Sequence, residues 1–305
     1  MKMAGWKAQS LSDKMFDIII YTILILFAAV CLYPLYYIVL VSFSSDPVGV
    51  YFWPKDFTTK AYSLVVQDME LWSGYLNTIF YTVGGVLFSL FLTVPCAYTL
   101  SRKDVPGRKI MTAYLIVTMF ISGGMIPVYL TVQKLHLLNT WWVIIIMTGV
   151  SAYNIIVART FFATTIPDEL LDASRVDGCG NGKFLLQVVL PLSKPILAVL
   201  ALWIGVGRWN SYFNEMVYLR DREKYTVSLY LRKVLWQVES LKALAEGSAQ
   251  GGTVAEVSTE TMELAQMANI MQYVIIIIAS APLLAIYPFI QKYFTKGVMI
   301  GSVKG

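Results

Sequence analysis

The chain has 305 residues, 57% of them hydrophobic and only 14% charged, with a net charge of +5 and a mean hydropathy of +0.63. Soluble globular domains carry about 25% charged residues, so this composition excludes a soluble enzyme or binding module and marks an integral membrane protein. The positive balance does not argue for nucleic acid, because Lys and Arg in membrane proteins set orientation across the bilayer.

A spanning helix needs about 20 mostly apolar residues, and such runs occur at 18–43, 75–100, 110–130, 141–158, 196–219 and 270–290. The expectation is an all-α membrane protein with six transmembrane helices. The first run follows Lys2, Lys7 and Lys14 as a signal peptide's core would. It is longer than the roughly 7–15 residues of a cleavable core, however, and Tyr33, Tyr36 and Tyr37 replace a small-residue cleavage site, so it reads as a retained anchor. Cys31, Cys96 and Cys179 fall in span one, span two and a loop, which forms no disulfide framework.

Six spans put both termini on one side and split the loops into two sets. The set with the termini holds Lys2, Lys7, Lys14, Arg102, Lys103, Arg108, Lys109, Arg159, Arg175, Lys183, Lys194, Lys292, Lys296 and Lys304, fourteen bases against nine in the other. Most of those nine lie in the long loop 220–269, where Asp and Glu balance them, so the shorter loops dominate. The expected arrangement is N-in/C-in: a cytoplasmic segment 1–17, a transmembrane domain 18–290 with a cytoplasmic loop 159–194 and a long external loop 220–269, and a cytoplasmic tail 291–305. Trp72, Trp141 and Trp142 then sit at external span ends, as an interfacial aromatic belt would. The 243–259 part of loop 220–269 is small, polar and Gly-containing, and reads as functional or flexible.

Residues 169–195, in loop 159–194 and its exit, are the one polar, charge-dense stretch directly between two bilayer-length apolar runs. Pro167, Asp168 and Glu169 read as a helix start, since Pro suits the first turn and acids suit the positive dipole end. That helix runs through about Val176 and ends at Asp177-Gly178, where Gly tolerates a left-handed cap. Gly-Cys-Gly-Asn-Gly at 178–182 turns the chain, and Lys183 through Leu190 form a second short helix stopped by Pro191. The result is a helix-turn-helix elbow projecting from the membrane. The run 177–184 imitates a phosphate loop, but Asp177 holds the first Gly position and Phe184 the Ser/Thr position, so no hydroxyl is available for magnesium. Gly178, Gly180 and Gly182 have the wrong spacing for a dinucleotide fingerprint.

The elbow resembles the cytoplasmic Glu-Ala-Ala…Gly loop of binding-protein-dependent ABC importer permeases in its carbohydrate form. Asp172, Ala173 and Ser174 match the Glu-Ala-Ala triplet, with Asp for Glu and Ser for the second Ala. Asp177 and Gly178 match the Asp-Gly pair, Phe184 the Phe, and Leu190, Pro191 and Pro195 the close. Trp209-Asn210, Tyr225-Thr226-Val227 and the tail 293–305, with Lys296, Gly297, Gly301 and Lys304, agree with the same group. The resemblance covers nearly the whole chain and lies nearest to permeases of complex oligosaccharide importers related to the maltose system's smaller permease.

It implies a permease subunit that carries an oligosaccharide through the plasma membrane of a bacterium while ATP is hydrolysed elsewhere. It further implies a second homologous permease, an ATPase dimer docked on the elbows, an extracytoplasmic solute-binding protein, and tail contact with the ATPase. This chain itself would bind no cofactor; ATP and Mg belong to the partners, and no metal site is expected.

Span five carries more polar residues than lipid tolerates: Arg208, Trp209, Asn210, Ser211, Tyr212, Asn214 and Glu215. Intramembrane charge is expensive unless it faces a cavity or a partner. Arg208 and Glu215 are seven apart on one face, so this face either lines the solute path or forms a polar interface between permeases. Asn77, Tyr153 and Asn154 are weaker path candidates. A secondary transporter or channel would bury acid/base relays in several spans, whereas spans one, three and six carry no internal charge. A membrane-bound enzyme lacks residues to act, since the one histidine, His136, lies in a short external loop without a ligand cluster.

Overall fold

The computed structural model describes residues 10–45, 52–147, 149–250 and 259–297. In chain order the helices are α1 (Leu11–Ser42), α2 (Lys60–Gln67), α3 (Met69–Ser101), α4 (Arg108–Phe120), α5 (Met125–Lys134), α6 (Trp141–Met147) and α7 (Ala152–Thr165). Then come α8 (Asp168–Val176), α9 (Asn181–Phe184), a π turn (Leu185–Val189), α10 (Leu190–Leu192), α11 (Lys194–Trp209), α12 (Phe213–Tyr218), α13 (Val227–Gln250) and α14 (Thr259–Gly297). Helices α1, α3 and the 267–288 part of α14 are each long and apolar enough to cross a membrane, and three broken helix pairs supply the material for three more spans.

Those breaks are where the simple span list needs correcting. The expected span 110–130 is two helices, α4 and α5, meeting at 111°. Gly124, at φ +82°, takes a conformation that L side chains rarely adopt, and Ser122-Gly123-Gly124 gives the helix nothing to continue on. The expected span 141–158 is α6 and α7, and the second runs on to Thr165. The expected span 196–219 stops at Trp209, and α12 resumes it at Phe213. The 220–269 stretch is not mainly loop. Helix α13 occupies Val227–Gln250, and α14 begins at Thr259, eleven residues ahead of the expected span; residues 251–258 lie outside the described set.

The chain divides into two compact units, residues 1–67 with 234–278, and residues 68–233 with 279–305. In the first, Ser10 caps α1 by accepting from the Asp13 amide, and most of the helix above it is exposed apolar surface. Its end is tied locally. Leu40 and Val41 are buried beside Tyr37 and Tyr273, and Phe43 stacks on Phe57 and Tyr62.

The second unit is built on α3, whose start is capped by Asp68 accepting from the Glu70 amide at 2.8 Å. One of its clusters packs Val94, Ala97, Tyr98 and Leu100 of α3 against Ile155, Ala158 and Phe162 of α7 and Ile196 and Leu200 of α11. Phe184 and Val189 complete it. A second cluster joins Tyr81 to Val143, Ile144 and Ile145 of α6, Val132 of α5, and Tyr218 and Leu219.

Candidate functional site: the elbow and the interrupted fifth span

The first arm of the elbow is α8, with Pro167 at its N-cap, Asp168 and Glu169 in the first turn and Arg175 in the last. Its end is a Schellman closure. The Cys179 amide donates to the Ser174 carbonyl at 2.8 Å, the Gly178 amide donates to the Arg175 carbonyl at 3.0 Å, and Gly178 sits at φ +70°. The second arm differs from the expected helix in one respect: Pro191 does not stop it. The π turn 185–189 has the Leu190 amide reaching back to the Leu185 carbonyl, and this wider ladder accommodates the amide-less Pro191 in the turn that follows. The arm ends instead at Ser193, where it meets α11 at 82°.

Within the motif the side chains divide by direction. Phe184 is 1% exposed, its ring 6.3 Å from that of Tyr98, and it anchors the second arm in the core. Leu190 packs partly against the same cluster, and Ser174 turns back to donate to the Leu171 carbonyl at 2.7 Å. Asp172, Ala173, Asp177, Gly178 and Pro191 are exposed, as is Val176. The elbow therefore presents one arm and its turn outward while an aromatic ring fixes the other.

A charged brace holds this arrangement. Arg102, the C-cap of α3, donates from Nε and Nη2 to the two oxygens of Asp104 and from Nη1 to Asn181 Oδ1 at 2.6 Å. Asp104 also accepts from Arg175 at 2.5 Å, and Lys103 pairs with Asp168 at 2.7 Å. One loop thus grips the end of the first arm, the start of the second, and the start of α8. The hydrogen bonds from Arg102, and then from Arg175, hold the Asp104 carboxyl well below the usual carboxylate range. In the sequence this stretch, 101–109, read only as an orientation signal; partners as far apart as Arg102 and Asn181 leave no local pattern.

At the break in span five, α11 ends with Arg208 in its last turn and α12 begins with Glu215 in its first. These are the ends where helix dipoles favour a cation and an anion respectively. Arg208 and Glu215 are 6% and 1% exposed. Arg208 Nη2 donates to the Ile145 carbonyl at 3.1 Å, and its Nε and Nη1 have no hydrogen-bond partner among the described residues. Ser211 donates to Glu215 at 2.9 Å, and the two opposite charges attract across the break without a direct ion pair. Gly85 of α3 makes this possible, because a Cβ there would stand 3.0 Å from Arg208 Nε.

The other expected path residues scatter. Trp209 is 7% exposed, its Nε1 donating to the Ala279 carbonyl at 3.1 Å and its ring centroid 6.3 Å from that of Tyr75. Asn77 donates to the Tyr225 carbonyl at 3.0 Å and helps pin the 223–225 segment to α3. Asn210 is exposed and bonds its own helix at Val206; Tyr212 is exposed with the Arg232 guanidinium over its ring; Asn214 is half-buried. Tyr153, beside the half-buried Asn154, is exposed and 5.9 Å from the ring of Trp203. Lys296 and Gly297 are the last residues of α14, while Gly301 and Lys304 lie outside the described residues. Among the described residues no group of three His, Cys, Asp or Glu side chains could hold a metal.

Known proteins share this architecture. The family described as the binding-protein-dependent transport system inner membrane component matches residues 71–213. The polygalacturonan/rhamnogalacturonan transport system permease protein YtcP of Bacillus subtilis (strain 168) is 33% identical over 97% of this chain and 100% of its own length. Protein LplC of the same organism is 35% identical over 91% of this chain and 90% of its own. A solved bacterial ABC transporter involved in the import of the acidic polysaccharide alginate has a chain that superposes with a TM-score of 0.80 at 35% identity, over 94% of this chain and 99% of that one. The chain therefore belongs to the inner-membrane permease components of bacterial binding-protein-dependent ABC importers, in which ATP is hydrolysed on separate subunits.

Proposed function

We propose that this chain is one of two homologous permeases that together carry an oligosaccharide into the cell. An extracytoplasmic binding protein delivers the sugar, and an ATPase dimer holding ATP and Mg drives the step. The observation that carries the reading is the elbow. Its motif residues Asp172, Ala173, Asp177 and Gly178 face outward while Phe184 and the Arg102–Asp104–Arg175 brace tie it to α3. A rigid exposed arm of this kind converts a push from a docked partner into rotation of spans two and five, which is the mechanical need of alternating access.

In this reading both termini and 159–194 are cytoplasmic, and the tail from 291, with Lys296, Gly297, Gly301 and Lys304, lies against the ATPase. The sugar class follows the relatives whose names specify polygalacturonan, rhamnogalacturonan and arabinooligosaccharides. The path runs past the break in span five, where Asn210, Tyr212 and Asn214 are accessible and Arg208, Trp209 and Glu215 form the wall behind them, with Asn77, Tyr153 and Asn154 further along. The test is a single cysteine at Val176, 89% exposed, in a chain freed of its own cysteines. It should resist a membrane-impermeant maleimide in intact cells and cross-link to the ATPase in membranes; efficient labelling from outside would reverse the topology and remove the docking role.

A further inference from the structure

Beside the elbow, bordered by the brace residues Arg102, Lys103 and Asp168, lies a cleft of about 220 Å³. Tyr98, Phe162 and Phe184 line it, and four bases face it: Arg102, Lys103, Arg108 and Arg159. Two of the four are already neutralised, Arg102 by Asp104 and Lys103 by Asp168. The other two are not. Arg108 Nη1 donates to the carbonyls of Ser101 and Arg102 at 3.4 and 3.0 Å, and Arg159 Nε donates to the carbonyl of Leu100 at 3.1 Å. Both are half-buried, and neither meets a carboxylate among the described residues. The one acid on the cleft wall, Asp168, is held by Lys103.

Two half-buried guanidiniums with forked donors to spare are the usual receptor for a tetrahedral oxyanion. The cleft is smaller than the roughly 300–1,000 Å³ of pockets for drug-sized organic ligands, so it suits a small anionic group rather than a sugar chain. Its position favours one source. It lies where α3 ends and α4 begins, at a membrane–water boundary, and α4 leaves it with no buried residue and with Ile110, Met111, Tyr114 and Val117 exposed. Basic pockets at such boundaries take phospholipid headgroups. We propose that this cleft binds a phosphate group through Arg108 and Arg159, supplied by an anionic phospholipid whose acyl chains lie along α4. Because Arg108 grips the backbone of Ser101 and Arg102, an occupied site would stiffen the same loop that braces the elbow.

The test uses the assembled importer in nanodiscs of phosphatidylcholine alone or mixed with phosphatidylglycerol. Native mass spectrometry should find phosphatidylglycerol retained by the wild type and about tenfold less of it retained by Arg108→Gln/Arg159→Gln. Coupled ATP hydrolysis should rise with phosphatidylglycerol in the wild type only. Arg108→Lys/Arg159→Lys, which keeps the charge, should retain part of the lipid, and Arg108→Gln alone gives a milder variant if the double one does not assemble. Inorganic phosphate is the second arm. If it raises the melting temperature of the wild type in neutral nanodiscs but not that of the glutamine variant, and no lipid is retained, the phosphate site stands with a solution source. Equal lipid retention and equal phosphate response in wild type and both glutamine variants would overturn the proposal.

Discussion

The elbow and the break in span five both depend on charged side chains, but in different media. At the elbow the pairs reach water: the side chains of Asp104 and Arg175 are 40% and 49% exposed and in direct contact, although that of Arg102, on the other side of Asp104, is 11% exposed. At the break they are dry, with Arg208 and Glu215 almost wholly buried and joined only at a distance. At equal separation Coulomb attraction is several-fold stronger in the second setting, and so is the penalty for leaving a charge alone. A transporter gains from this division. The exposed elbow is held by pairs that water can replace, and the break in span five by buried charges whose isolation is costly.

The largest effect should come from breaking the dry pair. Arg208→Met leaves Glu215 buried with Ser211 as its side-chain donor and without the opposite charge across the break, and a buried charge left uncompensated costs at most about 3–5 kcal/mol. Thermal unfolding of the purified importer should show this as a clear loss of melting temperature. Adding Glu215→Leu should restore most of it, because replacing both charges by apolar groups is often neutral. A neutral single variant would mean that the two charges do not support one another across the break.

A smaller effect tests the turn between the arms. Gly178 sits at φ +70°, and a Cβ added there would touch nothing within 4 Å. Gly178→Val therefore carries backbone strain alone, about 1–3 kcal/mol, which the chain can escape by reshaping the turn. Membrane insertion and melting temperature should change little, while transport-coupled ATP hydrolysis falls to the basal rate. Full coupling in this variant would show that the turn's shape is not read by the ATPase.

What could be read from the sequence follows the range of the forces involved. The first arm of the elbow was legible, because Pro167, the first-turn acids and Gly178 act within a few residues of themselves. The second arm was half legible. Pro191 is a helix stop by local rules, and the π turn ahead of it, which those rules do not foresee, lets the arm run on to Leu192. Hydropathy found six apolar runs but averaged over Gly123-Gly124 and Asn210–Tyr212, which hid the breaks. The excess polarity of span five was visible, yet which groups are buried depends on Gly85 and Ile145, far away in sequence. Helix α13 was hidden by its small polar end, and the brace was invisible because Asp104 meets Arg175 only after folding.

The smallest effect on stability, and the sharpest on function, should come from the brace. The exposed Asp104–Arg175 pair is worth about 0.2–1 kcal/mol and the bidentate pair with Arg102, whose side chain is 11% exposed, somewhat more, so Asp104→Asn should lower the melting temperature only modestly. It nevertheless releases Arg175 at the end of the first arm and frees Arg102, which also holds Asn181 at the start of the second. Coupled hydrolysis should fall while basal hydrolysis on the ATPase stays. Protonation gives the same change reversibly, and its sign is fixed. The Asp104 carboxyl titrates lower in the folded chain than the value of about 3.9 it has unfolded, so its contribution is complete above that value and is lost as the pH falls through the lower folded one. Between about pH 6 and 8 the brace is fully charged, and the ratio of coupled rates between wild type and Asp104→Asn should stay constant. A ratio that drifts across this range would place the titrating group elsewhere and would mean that the brace does not set the elbow.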